Sequence, residues 1–95
     1  MGATMFVKHQ VHDYRTWKPR YDGLASIRKQ KGVTAASVHR DANDPNTIIV
    51  MHQFKDLGAA TGFASSEELK AAMAQAGVSG PPEIWISEDI EHTSY

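Results

Sequence analysis

The sequence contains no cysteine among its 95 residues. That absence excludes disulfide bonds, thiolate nucleophiles and cysteine-ligated metal sites, and it is compatible with a reducing cytoplasm, where we expect the protein to act. Long apolar runs are missing as well. Because the N-terminal residues MGATMF are not a basic segment followed by an apolar stretch, we expect neither a signal peptide nor a membrane span.

Neither sign of charge is in large excess, since 10 Lys and Arg residues face 11 Asp and Glu residues. The sequence has no basic run and no stripe of Arg and aromatic residues, features that mark surfaces for nucleic acid. We therefore expect no nucleic-acid partner. The length suits one domain, 1–95, whose modest core an additional buried interface would stabilise.

Apolar periodicity and turn residues predict the order strand, helix, strand, strand, helix, strand. Pro19 suits a first helical position, so the first main helix is predicted over 19–31 after a short turn over 14–18. The second helical region is predicted from Asp56 to Gly77, with a kink at 64–66. We expect 1–4 and 91–95 to be flexible or to cross to a partner. The predicted strands are 5–12, Val33–Arg40, Thr47–Phe54 and 83–90.

Two right-handed crossovers around a central hairpin place all four strands antiparallel in the order fourth, first, third, second. This is the ferredoxin-like βαββαβ fold, of the α+β class, with both helical regions on one face of the sheet. The strand Thr47–Phe54 is apolar on both of its faces. The uncovered face of the sheet therefore predicts a homodimer, in which two sheets form an eight-stranded dimeric α/β barrel.

Four groups of residues, spread over nearly the whole chain, carry a resemblance to a known family. The groups are Val11, His12, Asp13, Tyr14, Trp17, Lys18 and Pro19; Asp44, Pro45 and Asn46; Phe54, Asp56, Leu57 and Phe63; and Ala76, Gly77, Val78, Gly80, Pro81, Pro82 and Glu83. Together they resemble the dimeric α/β-barrel superfamily, in particular its antibiotic biosynthesis monooxygenase branch. The resemblance implies a ligand site between helices and sheet. The superfamily includes cofactor-independent oxygenases, polyketide cyclases, isomerases and haem-degrading enzymes.

The haem-degrading branch differs from this chain at its functional positions. That branch uses an Asn on the first strand with a Trp and a His on the second helix, whereas this chain has Val7, Lys8, His9 and Gln10 on the strand and neither Trp nor His between Asp56 and Gly77. We therefore disfavour haem breakdown and expect no cofactor. The Asn and Trp pair of the quinol monooxygenases has no clear match either, so cyclase or isomerase chemistry has equal physical support.

Three histidines are predicted to face the site. If Arg40 pairs with Thr47 in the hairpin, His39 shares a face with His52. The family resemblance implies that Phe54, and with it His52, lies on the helix side. His9 shares a face with Val11, which we expect to pack under the first helix. The distance argues against a three-histidine metal site, since His39 and His52 lie roughly 13 Å apart at strand rise. A metal-binding pair that includes His9 would need a carboxylate that the pattern does not place.

A role in acid–base chemistry is a better interpretation of these histidines than a metal site. Against apolar walls we expect an imidazole to keep a pKa close enough to neutrality to take a proton from a phenol or an enol. His52 is the first candidate for this base and His9 the second. The alternative is that each is a half-buried strand residue that hydrogen-bonds to the backbone.

An apolar and aromatic set completes the candidate ligand site. Its spacing is equally that of an ordinary core stripe, although Tyr21 stands out because a buried phenol needs a hydrogen-bond partner. Trp85 lies on a strand whose facing the sequence does not fix, so it closes either the pocket or the interface. With His39, the candidate ligand-contact residues are Trp17, Tyr21, Phe54, Phe63 and Met73.

Two functions follow from these expectations. The first is a small cofactor-independent enzyme, of the monooxygenase or cyclase type, that acts on an aromatic or polyketide-like molecule. The second is a non-catalytic dimeric barrel that binds a small apolar ligand or serves as an assembly module. A pocket of a few hundred cubic ångströms with a histidine at its base favours the first, and a well-packed space between helices and sheet favours the second.

Overall fold

The computed structural model of the protein describes residues 2–95. These residues form four strands and four helices. The predicted order of elements is confirmed, although each helical region is split in two. The elements are β1 (Ala3–Val11), α1 (Tyr14–Gly23), α2 (Ala25–Gln30), β2 (Val33–Arg40), β3 (Thr47–Phe54), α3 (Leu57–Ala64), α4 (Glu67–Ala76) and β4 (Val78–Glu88).

The strands form one antiparallel sheet in the order β2-β3-β1-β4, which is the predicted order counted from the other edge. The helices pack on one face of this sheet. The alternation predicted for the first strand is confirmed, because its side chains at odd positions lie in the core beneath the helices. The core on this face includes Met5, Val7 and Val11 from β1, Val50 and Phe54 from β3, Trp17 from α1, Phe63 from α3, and Leu69 and Ala76 from α4.

The first strand begins earlier than predicted. Ala3 and Thr4 are buried within β1, and the Thr4 hydroxyl donates a hydrogen bond of 2.6 Å to a carboxylate oxygen of Asp89. The prediction that 1–4 are flexible is therefore wrong for Ala3 and Thr4, and Met1 lies outside the described residues. At the other end, 91–95 are exposed and belong to no helix or strand.

Pro19 lies inside a helix instead of starting one. Helix α1 begins at Tyr14 because the Asp13 carboxylate accepts a hydrogen bond from the Arg15 amide, which caps the helix there. The break falls after Gly23, at Leu24, instead of before Pro19. Since Arg15 and Pro19 are both exposed, the carbonyl that Pro19 leaves unbonded can reach water.

The hairpin between β2 and β3 pairs one residue away from the predicted register. Arg40 lies opposite Ile48, and the Asp41 amide donates to the Thr47 carbonyl at 2.9 Å. Within the loop, the Asp44 carboxylate accepts hydrogen bonds from the Asn46 amide and the Thr47 hydroxyl. A slip of one residue reverses the facing of a strand's side chains.

The last strand is longer than predicted. It begins at Val78, so the Gly80 to Pro82 segment belongs to the strand, where we predicted a connection. Strand β4 lies at the edge of the sheet, where proline is tolerated because one side of the strand makes no ladder hydrogen bonds. The pairing shifts at this point, since Lys8 faces Glu83 and Gln10 faces Ser79.

The other face of the sheet, here called the open face, carries the apolar side chains of Phe6, Ile49, Met51 and Trp85. Trp85 pairs with Phe6 across the two strands, and their rings stack with centroids 5.3 Å apart. Trp85 is 46 % exposed. The tryptophan therefore belongs to the open face and does not lie between the helices and the sheet.

Two glycines, one at the end of α4 and one inside α3, offer a paired test of the left-handed cap. Gly77 terminates α4 with φ of 84°, and a Cβ there would meet only the Arg20 Nη1 at 3.6 Å and the His12 ring at 3.9 Å. Gly77→Ala should therefore destabilise the fold by about 1 kcal/mol through backbone strain alone. Gly62→Ala, in open space inside α3, should stabilise it by about 0.5 kcal/mol. Urea unfolding at one protein concentration measures both, and equal effects would contradict the left-handed cap.

Candidate active site

His52 is held between the sheet and helix α1. It occupies β3 opposite Met5 of β1, and its side chain is only 3 % exposed. The Tyr21 hydroxyl, from α1, lies 3.0 Å from its Nε2, and the two rings are almost parallel. The half-buried phenol of Tyr21 thus has the hydrogen-bond partner that the sequence analysis expected it to need.

The surroundings of His52 favour one tautomer. Within residues 2–95, its Nδ1 is buried with no hydrogen-bond partner. A buried N–H without a partner is rarer than an acceptor with an unused lone pair. We therefore assign the proton to Nε2, which donates to the Tyr21 oxygen, and a free lone pair to Nδ1.

Burial makes His52 a neutral imidazole. Desolvation, with a smaller contribution from the positive charge of Arg28, lowers the pKa of His52 from 6.5 to about 4. The expectation of a pKa close to neutrality is therefore wrong, because the site is drier than the sequence indicated. At neutral pH the side chain is ready to accept a proton, but it binds that proton weakly unless an anion lies beside it.

Arg28 is the residue that the sequence analysis missed. Its guanidinium carbon lies 3.7 Å from the centroid of the Tyr21 ring. Its Nη1 also donates a hydrogen bond of 2.8 Å to the Tyr21 carbonyl. The seven-residue spacing from Tyr21 to Arg28 was the available signal, because it places both residues on one helical face.

Aromatic rings extend from this pair in both directions. Trp17 stacks on Tyr21 with centroids 4.8 Å apart, and the edge of His9 meets Trp17 at 5.7 Å. On the other side, Phe63 lies edge-on to His52 at 5.9 Å. Phe54 packs behind Phe63 in the core, so it supports the wall without lining the cavity.

A cavity of about 50 Å³ lies beneath the helices at this site. A cavity of about 150 Å³ is needed to take up benzene, so a ring-sized ligand enters only if the lining side chains move apart. The walls are almost wholly apolar. The lining includes Val7, His9, Trp17, Tyr21, Leu24, Ile27, Arg28, Val50, His52, Phe63, Leu69 and Met73.

His9 lines the opposite end of the cavity from His52. Its side chain is 7 % exposed, and burial lowers its pKa from 6.5 to about 4. Within residues 2–95, neither ring nitrogen has a hydrogen-bond partner. The alternative was that each histidine hydrogen-bonds to the backbone. His9 makes no such bond within residues 2–95, and the partner of His52 is the Tyr21 hydroxyl.

His39 does not reach the cavity. Because the hairpin register differs by one residue, His39 lies opposite Ile49 on the open face, where it is exposed and hydrogen-bonds to Ser37 at 2.9 Å. The prediction that three histidines line one pocket is therefore wrong. Across residues 2–95, no three His, Asp or Glu side chains are grouped closely enough to hold a metal ion.

Comparison with known proteins agrees with this architecture. The family model described as antibiotic biosynthesis monooxygenase matches residues 15–75. A Bordetella bronchiseptica protein superposes with a TM-score of 0.77 at 10 % identity, covering 95 % of this chain and 98 % of that one. SnoaB, a cofactor-independent oxygenase from Streptomyces nogalater, gives 0.75 at 12 % identity, with 96 % and 95 % covered. NE2512, a Nitrosomonas europaea protein of unknown function, gives 0.74 at 19 % identity, with 99 % and 94 % covered.

Two further observations complete the comparison. No curated protein shows significant sequence similarity to the chain. None of the helices within residues 2–95 has the length and apolar content needed to cross a bilayer. At the identities given above, the similar structures establish the fold alone.

The buried histidines predict a specific loss of stability in mild acid. Because the folded pKa of His9 lies below its unfolded value, the unfolded chain takes up the proton first as the pH falls from 6.5 towards 4. His9→Phe removes that difference. As the pH falls from 7 to 5, the wild type should lose about 2 kcal/mol more of its unfolding free energy than the variant loses.

Chemical denaturation at a series of pH values measures this effect. His39→Ala, which removes an exposed histidine, serves as the control and should keep the wild-type pH dependence. If His9→Phe loses stability in acid as steeply as the wild type does, His9 is not a buried neutral imidazole.

Proposed function

The chain belongs to the antibiotic biosynthesis monooxygenase family, and from that premise we propose that it is a small cofactor-independent enzyme, of the monooxygenase or cyclase type, that acts on an aromatic or polyketide-like molecule. The observation that carries the proposal is the pair of buried His52 and half-buried Tyr21, with their polar atoms 3.0 Å apart in a largely apolar cavity. The structural likeness to SnoaB, a cofactor-independent oxygenase, supports the same class.

His52 is the proposed base. The Tyr21 oxygen accepts a hydrogen bond from the Nε2–H group of His52, which fixes the tautomer and the orientation of the imidazole. The Nδ1 lone pair is then left to take a proton from a phenol or an enol of the ligand. The product is an imidazolium beside an oxyanion, and the apolar walls strengthen the attraction between these charges. Such an oxyanion can react with dioxygen or attack a carbonyl group of the same molecule, so one proton transfer serves either chemistry.

The remaining cavity residues are proposed to hold the ligand. Trp17 and Phe63 offer flat faces and edges on either side of the central pair, and Met73 from α4 supplies an adaptable wall. His9 is the second candidate base, because it is neutral, buried and has two nitrogens without partners in the described chain. Phe54 supports Phe63 from behind.

We also propose that two chains pair through the open face. Phe6, Ile49, Met51 and Trp85 form an apolar surface there, and Trp85 remains half exposed in the single chain. A contiguous apolar patch on a sheet face typically marks an interface. Packing two such faces would complete the eight-stranded barrel.

The size of the cavity favours a second candidate function. At about 50 Å³ it is far smaller than the few hundred cubic ångströms typical of a ligand pocket. A non-catalytic barrel, which binds a small apolar molecule or acts as an assembly module, agrees with that volume without movement of the helices. Turnover of a bound ring-sized ligand decides between the two functions.

The catalytic proposal is tested by screening quinols, naphthols and aromatic acids for stabilisation of the protein and then for turnover. His52→Ala should reduce turnover of any ligand found by at least about 100-fold, because the base is lost, while the oligomeric state is unchanged. His39→Ala is the matched control on the open face. Unchanged turnover in His52→Ala would remove His52 from the mechanism.

The dimer is tested by two substitutions at equally exposed apolar positions. Trp85, on the open face, is 46 % exposed, and Leu57, on α3, is 45 % exposed. Trp85→Glu should shift the protein from dimer to monomer because it buries a charge in the interface, whereas Leu57→Glu should remain dimeric. Analytical ultracentrifugation at micromolar concentration measures both, and a monomeric wild type contradicts the proposal.

A further inference from the structure

Arg28 has no role in the proton transfer described above, although its side chain lines the same cavity. We infer that Arg28 is an anion-binding residue and that the ligand is a hydroxylated aromatic carboxylic acid, whose carboxylate pairs with Arg28 while its ring occupies the apolar cavity. This inference rests on the proposed function and names its class of ligand.

The guanidinium of Arg28 is held in place with donors to spare. It lies over the Tyr21 ring, and within the described part of the chain, 2–95, only its Nη1 is hydrogen-bonded, to the Tyr21 carbonyl. A guanidinium has five N–H groups arranged to bind a carboxylate with two parallel hydrogen bonds. Stacking on the ring fixes the plane of these donors, which reduces the entropy lost when an anion binds.

Within residues 2–95, no carboxylate forms an ion pair with those donors. The ion pairs found within residues 2–95 join Arg15 to Asp13, Lys18 to Asp22, Lys31 to Glu68 and Lys70 to Glu67, and none includes Arg28. Arg28 is half-buried, in contrast to the exposed Arg15. A cation that is partly removed from water and has no acidic partner attracts an anion more strongly than a fully solvated one does.

The cavity around Arg28 defines the rest of the ligand. Apart from Arg28, its polar lining groups are His9, His52 and Tyr21, and every other wall is apolar. The positive charge therefore lies at one place beside apolar walls that suit the faces of a hydrocarbon ring. A molecule with one acidic group on an aromatic body matches this distribution, whereas a polyanion or a sugar does not.

A carboxylate at this position would also assist the base. Burial lowers the pKa of His52, and the positive charge of Arg28 adds a smaller decrease. A bound carboxylate neutralises this charge and attracts the imidazolium that forms. The carboxylate of the ligand would thus raise the proton affinity of His52, the residue that deprotonates the hydroxyl group of the same ligand.

Two probes of the same ring size isolate the charge. At pH 7, 1-hydroxy-2-naphthoic acid carries a carboxylate and 1-naphthol is neutral. Both need the cavity to open to a similar extent, so that cost largely cancels when their dissociation constants are compared. Quenching of tryptophan fluorescence, to which Trp17 in the cavity wall contributes, or isothermal calorimetry measures both constants on the full chain.

The wild type should bind the acid roughly tenfold more tightly than the naphthol, the effect of one charge-assisted hydrogen-bonded pair. Arg28→Gln keeps an N–H donor for the Tyr21 carbonyl but removes the charge, so it should lose this preference and bind naphthol as before. Arg28→Lys should retain part of it. Arg20→Gln is the control, because Arg20 also donates to a backbone carbonyl, that of Gln75, but does not line the cavity.

A second readout follows the histidine itself. The NMR titration of the His52 ring should move to higher pH when the acid is bound and should not do so when naphthol is bound. A residue that merely joins the two helices would change stability without changing this difference between the probes.

The outcomes separate the inference from the proposed function. Equal affinity of the wild type for the two probes, or a preference that persists in Arg28→Gln, overturns the inference and leaves the proposed enzyme intact. Loss of both probes by a folded Arg28→Gln variant also overturns it, since the arginine is then structural. If neither probe binds the wild type, both the inference and the enzyme proposal fail.

Discussion

The structure depends on one constraint, which is that all the helices cover the same face of a four-stranded sheet. On the covered face, side chains lose contact with water, and this loss of water keeps His9 and His52 neutral. On the open face, Phe6 and Trp85 stack on each other while remaining partly in contact with solvent. The candidate site and the proposed interface are therefore two results of the same arrangement, placed on opposite sides of one layer about one strand thick.

Polar groups on the covered face lower the stability of the fold. His9 has no hydrogen-bond partner for either ring nitrogen within the described chain, and a core of the same shape without these groups would be more stable. Buried polar groups without partners are uncommon in proteins and concentrate where a function needs them. At His52 this cost is reduced because Tyr21 supplies one partner. The remaining nitrogen is the one available for chemistry.

The position of Arg28 beside Tyr21 agrees with their spacing in the sequence. Arg28 lies seven residues after Tyr21, and its guanidinium carbon lies 3.7 Å from the centroid of the Tyr21 ring although the helix breaks at Leu24 between them. Among the residues that line the cavity, Arg28 carries the positive charge. The proposed anion binding and the proposed orientation of the imidazole thus come from neighbouring residues on α1 and α2.

The sequence by itself determined the order of the elements, the antiparallel sheet order and the buried face of the first strand. These follow from local periodicity, turn chemistry and the handedness of crossovers. The facing of His52 came from the family resemblance. The tertiary structure alone decided the facing of His39 and Trp85, because pairing register depends on how a loop closes and on shifts within a strand pair, and one residue reverses every side chain. It also decided the low pKa of His52, which depends on how closely the helices pack on the sheet and on the volume left between them, quantities that no local pattern of residues encodes.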